Sequence, residues 1–257
     1  MIEKWAKIAH DNKVMIYTDF ADLEKPDDVI EMFFDSNLSG GDVYKSNVCM
    51  ACNYLVGRGR YAELGETEDL LIPPSAALAG SVYKTVMAQV TAGKKYGSMS
   101  EVDGVAFNLK KSEISELEKI GLIPMVKEYG KVMAFSAKTL FNGDNLGLQT
   151  YSVVRVFDWV TKVLMDSSTG ALRELEQQGG EGFARTNQQV PGQHPGPGRL
   201  IEKFKILRFE RDPKQKDRIF LDIHLTPYFP AKSFVIKLEG TKGDDENDWN
   251  SDYAQDA

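Results

Sequence analysis

The chain has 257 residues, 42% of them hydrophobic and 27% charged, with a formal net charge of −7. That size suits one large domain or two ordinary ones with a core that needs no staples, and the composition excludes a fibrous or wholly disordered chain. The acidic balance argues against nucleic-acid or anionic-membrane binding. No apolar run reaches the ~18 residues of a membrane span. The first residues have no apolar secretory core, and two cysteines fit a reducing compartment, so the expected location is the cytoplasm.

Residues 2–10 read as a short helix, and VMIYTDF (14–20) as an apolar run of strand length. Pro26-Asp27-Asp28 opens a helix through Phe34, because proline fits the first turn and acids suit a helix N-terminus. Residues 37–41 form a loop. SNVCMACNYLVG (46–57) is apolar and buried, of ambiguous type. Pro73 and Pro74 bar a helix before Ser75. A helix follows, whose small residues Ala76, Ala77, Ala79, Gly80 and Ser81 permit close approach.

GVAFNL (104–109) reads as a short strand. Ser112 caps a helix carrying Ile114, Leu117 and Ile120, and Gly121 stops it. Residues 122–140 read as two strands around Glu128-Tyr129-Gly130, a hairpin. Residues 150–166 form an amphipathic helix ending at Asp166. Val153, Val156, Phe157, Val160, Val163 and Leu164 share its apolar face, with Arg155, Asp158 and Lys162 largely off it.

Ser167 to Gly198 holds seven of the 22 glycines, three of the 10 prolines and only six apolar residues, and reads as an aberrant linker. Residues 203–212, 218–228 and 233–240 then read as three strands of one small antiparallel sheet. The last of them sits at the sheet edge, where another chain can pair with it. From Gly240 onwards six acids face one base, which is −5 of the total −7. This end is expected to be a solvated, mobile tail.

The chemical motifs are weak. Cys49-Met50-Ala51-Cys52 has no second ligand pair and lies in an apolar segment, so buried structural thiols are favoured over redox or zinc chemistry. Gly57-Arg58-Gly59 lacks the Lys-Ser/Thr ending of a phosphate loop. Ser75 and Ser136 lack a nucleophile elbow, and the histidines His10, His194 and His224 are scattered. Asp19 and Asp22 read as a solvated strand end rather than a catalytic pair. No catalytic, cofactor-binding or metal-binding residues are assigned and no cofactor is expected. A small redox or nucleotide-binding enzyme is the alternative from another class.

PPSAALAG with its following helix resembles a segment of contractile tail sheath proteins. GVAFNLKKSEISELEKIGLIPMVKEYGKVMAFSAKTLF resembles the next sheath segment, TYSVVRVFDWVTKVLMD the helix after it, and KFKILRFERD with RIFLDIHLTPYFPAKSFVIKLEG the C-terminal sheath domain. The ordered set most resembles the large sheath subunit of type VI secretion systems, the TssC family. It covers most of residues 14–166 and 199–240.

The resemblance implies a non-enzymatic subunit that polymerises around an inner tube and contracts to propel it. The sheath of a phage tail or of an extracellular contractile particle is the alternative. The implied fold is α/β (α+β mixed): helices packed on a mixed sheet, plus a C-terminal antiparallel strand-exchange sheet. The implied partners are a small sheath subunit, copies of the chain itself, the inner tube protein, the baseplate and a sheath-recycling unfoldase, with no nucleic acid and no membrane insertion. Phe234, Val235, Ile236 and Leu238 are the expected strand-exchange residues, with Ile219, Leu221, Ile223 and Leu225 as the core face of their sheet partner.

The expected organisation is an incomplete sheath core (1–166), the linker (167–198), the C-terminal sheath domain (199–240) and the acidic tail (241–257). Family members are longer, so an N-terminal part is expected to be missing. Back-translating Leu172–Glu176 and Gln189–Pro195 and reading one nucleotide on yields Phe-Glu-Asn-Trp and Lys-Phe-Leu-Asp-Ser-Ile, both helix-compatible. The linker is therefore either genuine or frameshifted from a helical segment.

Overall fold

Every residue of Val48-Cys49-Met50-Ala51-Cys52 is fully buried. A segment apolar on both faces belongs inside a covered sheet, and that is its place in the computed structural model. The structure describes residues 1–87, 89–178, 201–211, 219–227, 233–242 and 245–256.

In chain order the first elements are α1 (Ile2–Asp11), β1 (Ile16–Asp19), α2 (Pro26–Ser36), β2 (Val48–Cys52), β3 (Leu55–Arg58), β4 (Leu70–Ile72) and α3 (Ser75–Lys84). Then come α4 (Gly93–Tyr96), β5 (Ser98–Met99), β6 (Gly104–Val105), α5 (Lys111–Lys119), β7 (Leu122–Glu128), β8 (Lys131–Ala134) and α6 (Tyr151–Gln178). A five-stranded mixed sheet runs β1-β2-β7-β8-β5. Its β1, β2 and β7 are parallel, and β8 and β5 continue antiparallel. A smaller antiparallel sheet runs β4-β3-β6.

Strand alternation divides the core in two. Val48, Met50 and Cys52 pack with Ala6 of α1, Val29 and Phe33 of α2, and Leu117 of α5. Cys49 and Ala51 pack with Leu78 and Val82 of α3 and Tyr151 of α6. Helices therefore cover both faces of the sheet, as parallel strands joined by helical crossovers require. This is the mixed helix-on-sheet class expected from the sequence.

Local chemistry sets the boundaries. The ambiguous 46–57 run is two strands, broken at Asn53, whose φ is 70°. The Asn53 side chain bonds the Phe107 N–H at 3.2 Å and the Phe107 carbonyl at 2.9 Å. That amide stands in for strand pairing beyond Val105, so the expected 104–109 strand shrinks to two residues. Ser112 is not the cap of α5: the helix starts at Lys111, and the Glu113 carboxylate reaches back to the Lys110 N–H at 2.7 Å. Tyr129 and Gly130, at φ 50° and 73°, make the tight primed turn between β7 and β8.

Helix α6 spans 28 residues and passes the expected stop at Asp166. Gly170 costs a helix only about 1 kcal/mol. Ala171 to Gln178 are strong helix formers, and they carry the helix twelve residues further than its apolar face suggested. Leu172–Glu176 are helical in their own frame. The rest of the expected linker, 179–198, lies outside the described residues.

Candidate assembly interface

The C-terminal strands are β9 (Ile201–Arg211), β10 (Ile219–Pro227), β11 (Ser233–Lys242) and β12 (Asp245–Asp256). They form two separate two-stranded antiparallel sheets, β9 with β10 and β11 with β12. This corrects two expectations. The terminal strand does not join a three-stranded sheet with β10, and most of the tail is a strand. The charge of this end suggests a solvated tail, but Trp249, Tyr253 and Ala254 interrupt the acids, and Lys237 stands opposite Asp252 in the ladder. Aromatic residues favour strands.

Ile219, Leu221, Ile223 and Leu225 lie on β10, opposite Arg211, Phe209, Ile206 and Phe204 of β9, with a register shift after Asp222. They are not brought against Phe234, Val235, Ile236 and Leu238. Those four lie on β11, opposite Gln255, Ala254, Tyr253 and Ser251. Each sheet has only two strands, so all four strands have an edge with no strand beside it among the described residues. Two-stranded ribbons are marginal alone and gain from a further strand. On the first ribbon the Arg208 guanidinium lies 4.5 Å from the Phe220 ring centroid, while Leu207 is 60% exposed.

The motifs with chemical potential have structural roles. Cys49 and Cys52 are buried on opposite faces of the sheet, and burial pushes both thiols above their ordinary range. They belong to separate cores. Arg58, at the end of β3, makes a two-pronged ion pair with Glu66, at 2.7 and 2.8 Å, and stacks 4.2 Å from the Tyr61 ring centroid. Asp19 meets Ser75 rather than Asp22: its carboxylate accepts from the Ser75 N–H and hydroxyl at the start of α3. An acid there is favoured by the helix dipole. The Ser136 hydroxyl is buried without a hydrogen-bond partner.

The sequence reading missed a buried polar cluster. Asp158 accepts from Asn47 Nδ2 at 2.6 Å. Asn47 also donates to the Val14 carbonyl at 3.1 Å, and His10 Nδ1 donates to Asn47 Oδ1 at 2.8 Å. Burial raises the Asp158 carboxyl above the usual carboxylate range. Its signal was an acid one turn from Val154 and four residues before Lys162, beside the apolar stripe rather than opposite it.

The type VI secretion system TssC/VipB central-domain model matches residues 1–142, and the TssC/VipB-like C-terminal-domain model matches residues 150–255. The chain belongs to the TssC/VipB family. The two matches meet just before α6 and the second runs through all four C-terminal strands, including β12.

Solved structures share the fold. The anti-feeding prophage (AFP) baseplate chain is 14% identical with a TM-score of 0.57, over 89% of this chain and 60% of that one. The PVC sheath complex of an extracellular contractile injection system, in its contracted state, is 13% identical with a TM-score of 0.56, over 88% and 63%. This TssC/VipB chain thus spans about three fifths of the length of those proteins. Among curated proteins, none matches it in sequence. Among the described residues, no helix is long and apolar enough to cross a membrane.

Proposed function

We propose that this chain is a structural subunit of a contractile injection sheath of the type VI secretion system. In this reading it polymerises in the cytoplasm around an inner tube and contracts to propel it. Family membership supports the role, and the two C-terminal ribbons carry it. Their open edges offer main-chain donors and acceptors to a neighbouring subunit, which join chains strongly without a pocket. A helical sheath needs a head-to-tail, non-closing interface, and strand addition supplies one.

Phe234, Val235, Ile236 and Leu238 on β11 are the residues we assign to strand exchange. Ile219, Leu221, Ile223 and Leu225 on β10 hold the neighbouring ribbon that receives or supports the added strand. The partners are copies of the chain, a small sheath subunit, the inner tube protein, the baseplate and a recycling unfoldase. The family and its structural neighbours are structural sheath proteins, and the buried thiols and the Arg58–Glu66 pair give the enzyme alternative no support.

Coexpression with a small sheath subunit, followed by electron microscopy, tests the reading. Cogwheel-like tubules are the expected result. A chain that stays monomeric beside a soluble small subunit, at every concentration tried, overturns it.

A further inference from the structure

A groove of about 380 Å³ opens between α3, β1 and α6. Its floor and rim carry Lys13, Arg155 and Lys162 against one acid, Asp158. Asp158 is already held by Asn47. None of the three cations forms a salt bridge with a described carboxylate. Arg155 Nη1 is buried without a hydrogen-bond partner. The groove is therefore net positive in a chain of net charge −7.

Its walls are apolar and aromatic, including Tyr83, Met87 and Trp159. Tyr83 is 92% exposed. A basic floor within aromatic walls suits a ligand that carries a carboxylate next to a ring. The ring covers apolar surface, and the carboxylate answers the charge of the groove's three cations.

One segment of this chain has that chemistry. Residues 244–256 hold six acids and no base, and contain Asp248-Trp249 and Asp252-Tyr253, the same acid–aromatic pair twice at a four-residue interval. Most of this segment is β12, which has no strand on its outer side among the described residues.

We propose that the groove takes the acid–aromatic segment 244–256 of a second copy of the chain, with an aspartate meeting Arg155 and an aromatic ring against Trp159 and Tyr83. The inference rests on the self-assembly reading above and adds a second contact to strand exchange. It gives the acidic end a destination on the neighbouring subunit.

A fluorescently labelled peptide of residues 244–256, titrated into the full chain and followed by anisotropy, tests it. Saturable binding that weakens with added salt is expected. Arg155→Met should weaken it at least tenfold, as should a peptide with all six acids changed to amides. Arg155 is half-buried, so Lys162→Gln at the exposed rim provides a second variant that leaves the core intact, with a smaller weakening of a few fold. Absence of saturable binding, or binding indifferent to both variants, overturns the proposal. Binding seen only when the chain's own tail acids are changed to amides places the segment in its own groove and overturns the second-copy assignment. Tubules that form normally while the peptide fails to bind would sink the groove contact alone and leave the sheath reading standing.

Discussion

Asp158 on α6 accepts a 2.6 Å hydrogen bond from Asn47, 111 positions earlier, and both side chains are buried. Through Asn47 the bond reaches His10 on α1 and the Val14 carbonyl before β1. It pins the long helix to the first strands of the sheet. Asp158→Ala leaves the Asn47 amide one acceptor short and should cost about 1–3 kcal/mol in denaturant unfolding.

The same residue gives a pH dependence. Its folded carboxyl is raised by burial, so the folded state holds the proton more tightly than the unfolded chain. That contribution to stability is fully present below the ordinary carboxylate value and is lost as pH rises through the raised one. The stability of the parent chain relative to Asp158→Asn should therefore be greater near pH 4 than at pH 7. Equal differences at both pH values would contradict the assignment.

Glu66 behaves oppositely. Its pairing with Arg58 and the Tyr61 N–H holds its carboxyl at about 2. The stabilisation it lends the β3–β4 hairpin is present above its ordinary value of 4.5 and lost as pH falls towards about 2. Carboxyl NMR titration should find Glu66 ionised well below the other glutamates. Arg58→Lys, which removes the two-pronged geometry, should move it back up.

Two glycines should respond in opposite directions to alanine. Gly121 follows α5 with φ +100°, and a Cβ there would sit 3.0 Å from the Thr139 carbonyl oxygen. Gly121→Ala should cost more than about 1 kcal/mol. Gly80 lies inside α3 with nothing within 4 Å of a built Cβ. Gly80→Ala should gain about 0.5–1 kcal/mol. Thermal melts of the two variants against the parent settle both.

Strand exchange is tested by backbone chemistry. Ile236→Pro removes an N–H from the middle of β11 and should abolish tubule formation. Ile236→Val keeps the ladder and should leave tubules intact. The far-UV spectrum should change little in either variant, because the α/β body is built by residues before β9. Tubules surviving the proline would place the joint elsewhere.

The body of the fold was legible because its signals are local. Pro26 with two acids, Gly121 after a helical stripe, and Glu128-Tyr129-Gly130 between apolar runs each act within a few residues. Asn53 was not legible, because its amide replaces a strand partner 54 positions away. The helical pattern places Asp158 largely off the apolar face, and nothing along the helix reveals Asn47. At the C-terminus charge outweighed pattern: the acids suggested a solvated tail, while Trp249 and Tyr253 already marked a strand. The proposed strand-exchange residues rest on resemblance and not on chemistry, since alternating Ile and Leu look the same in a core and at a joint.

The division of β9 to β12 into two ribbons has a thermodynamic consequence. A ribbon of two strands draws much of its stability from whatever binds its open edges, and such binding follows mass action. The melting temperature of this end of the chain should climb with subunit concentration, while that of the helix-covered sheet stays fixed. A lone subunit and a sheath subunit would then share one body and differ in how firmly its last quarter is held.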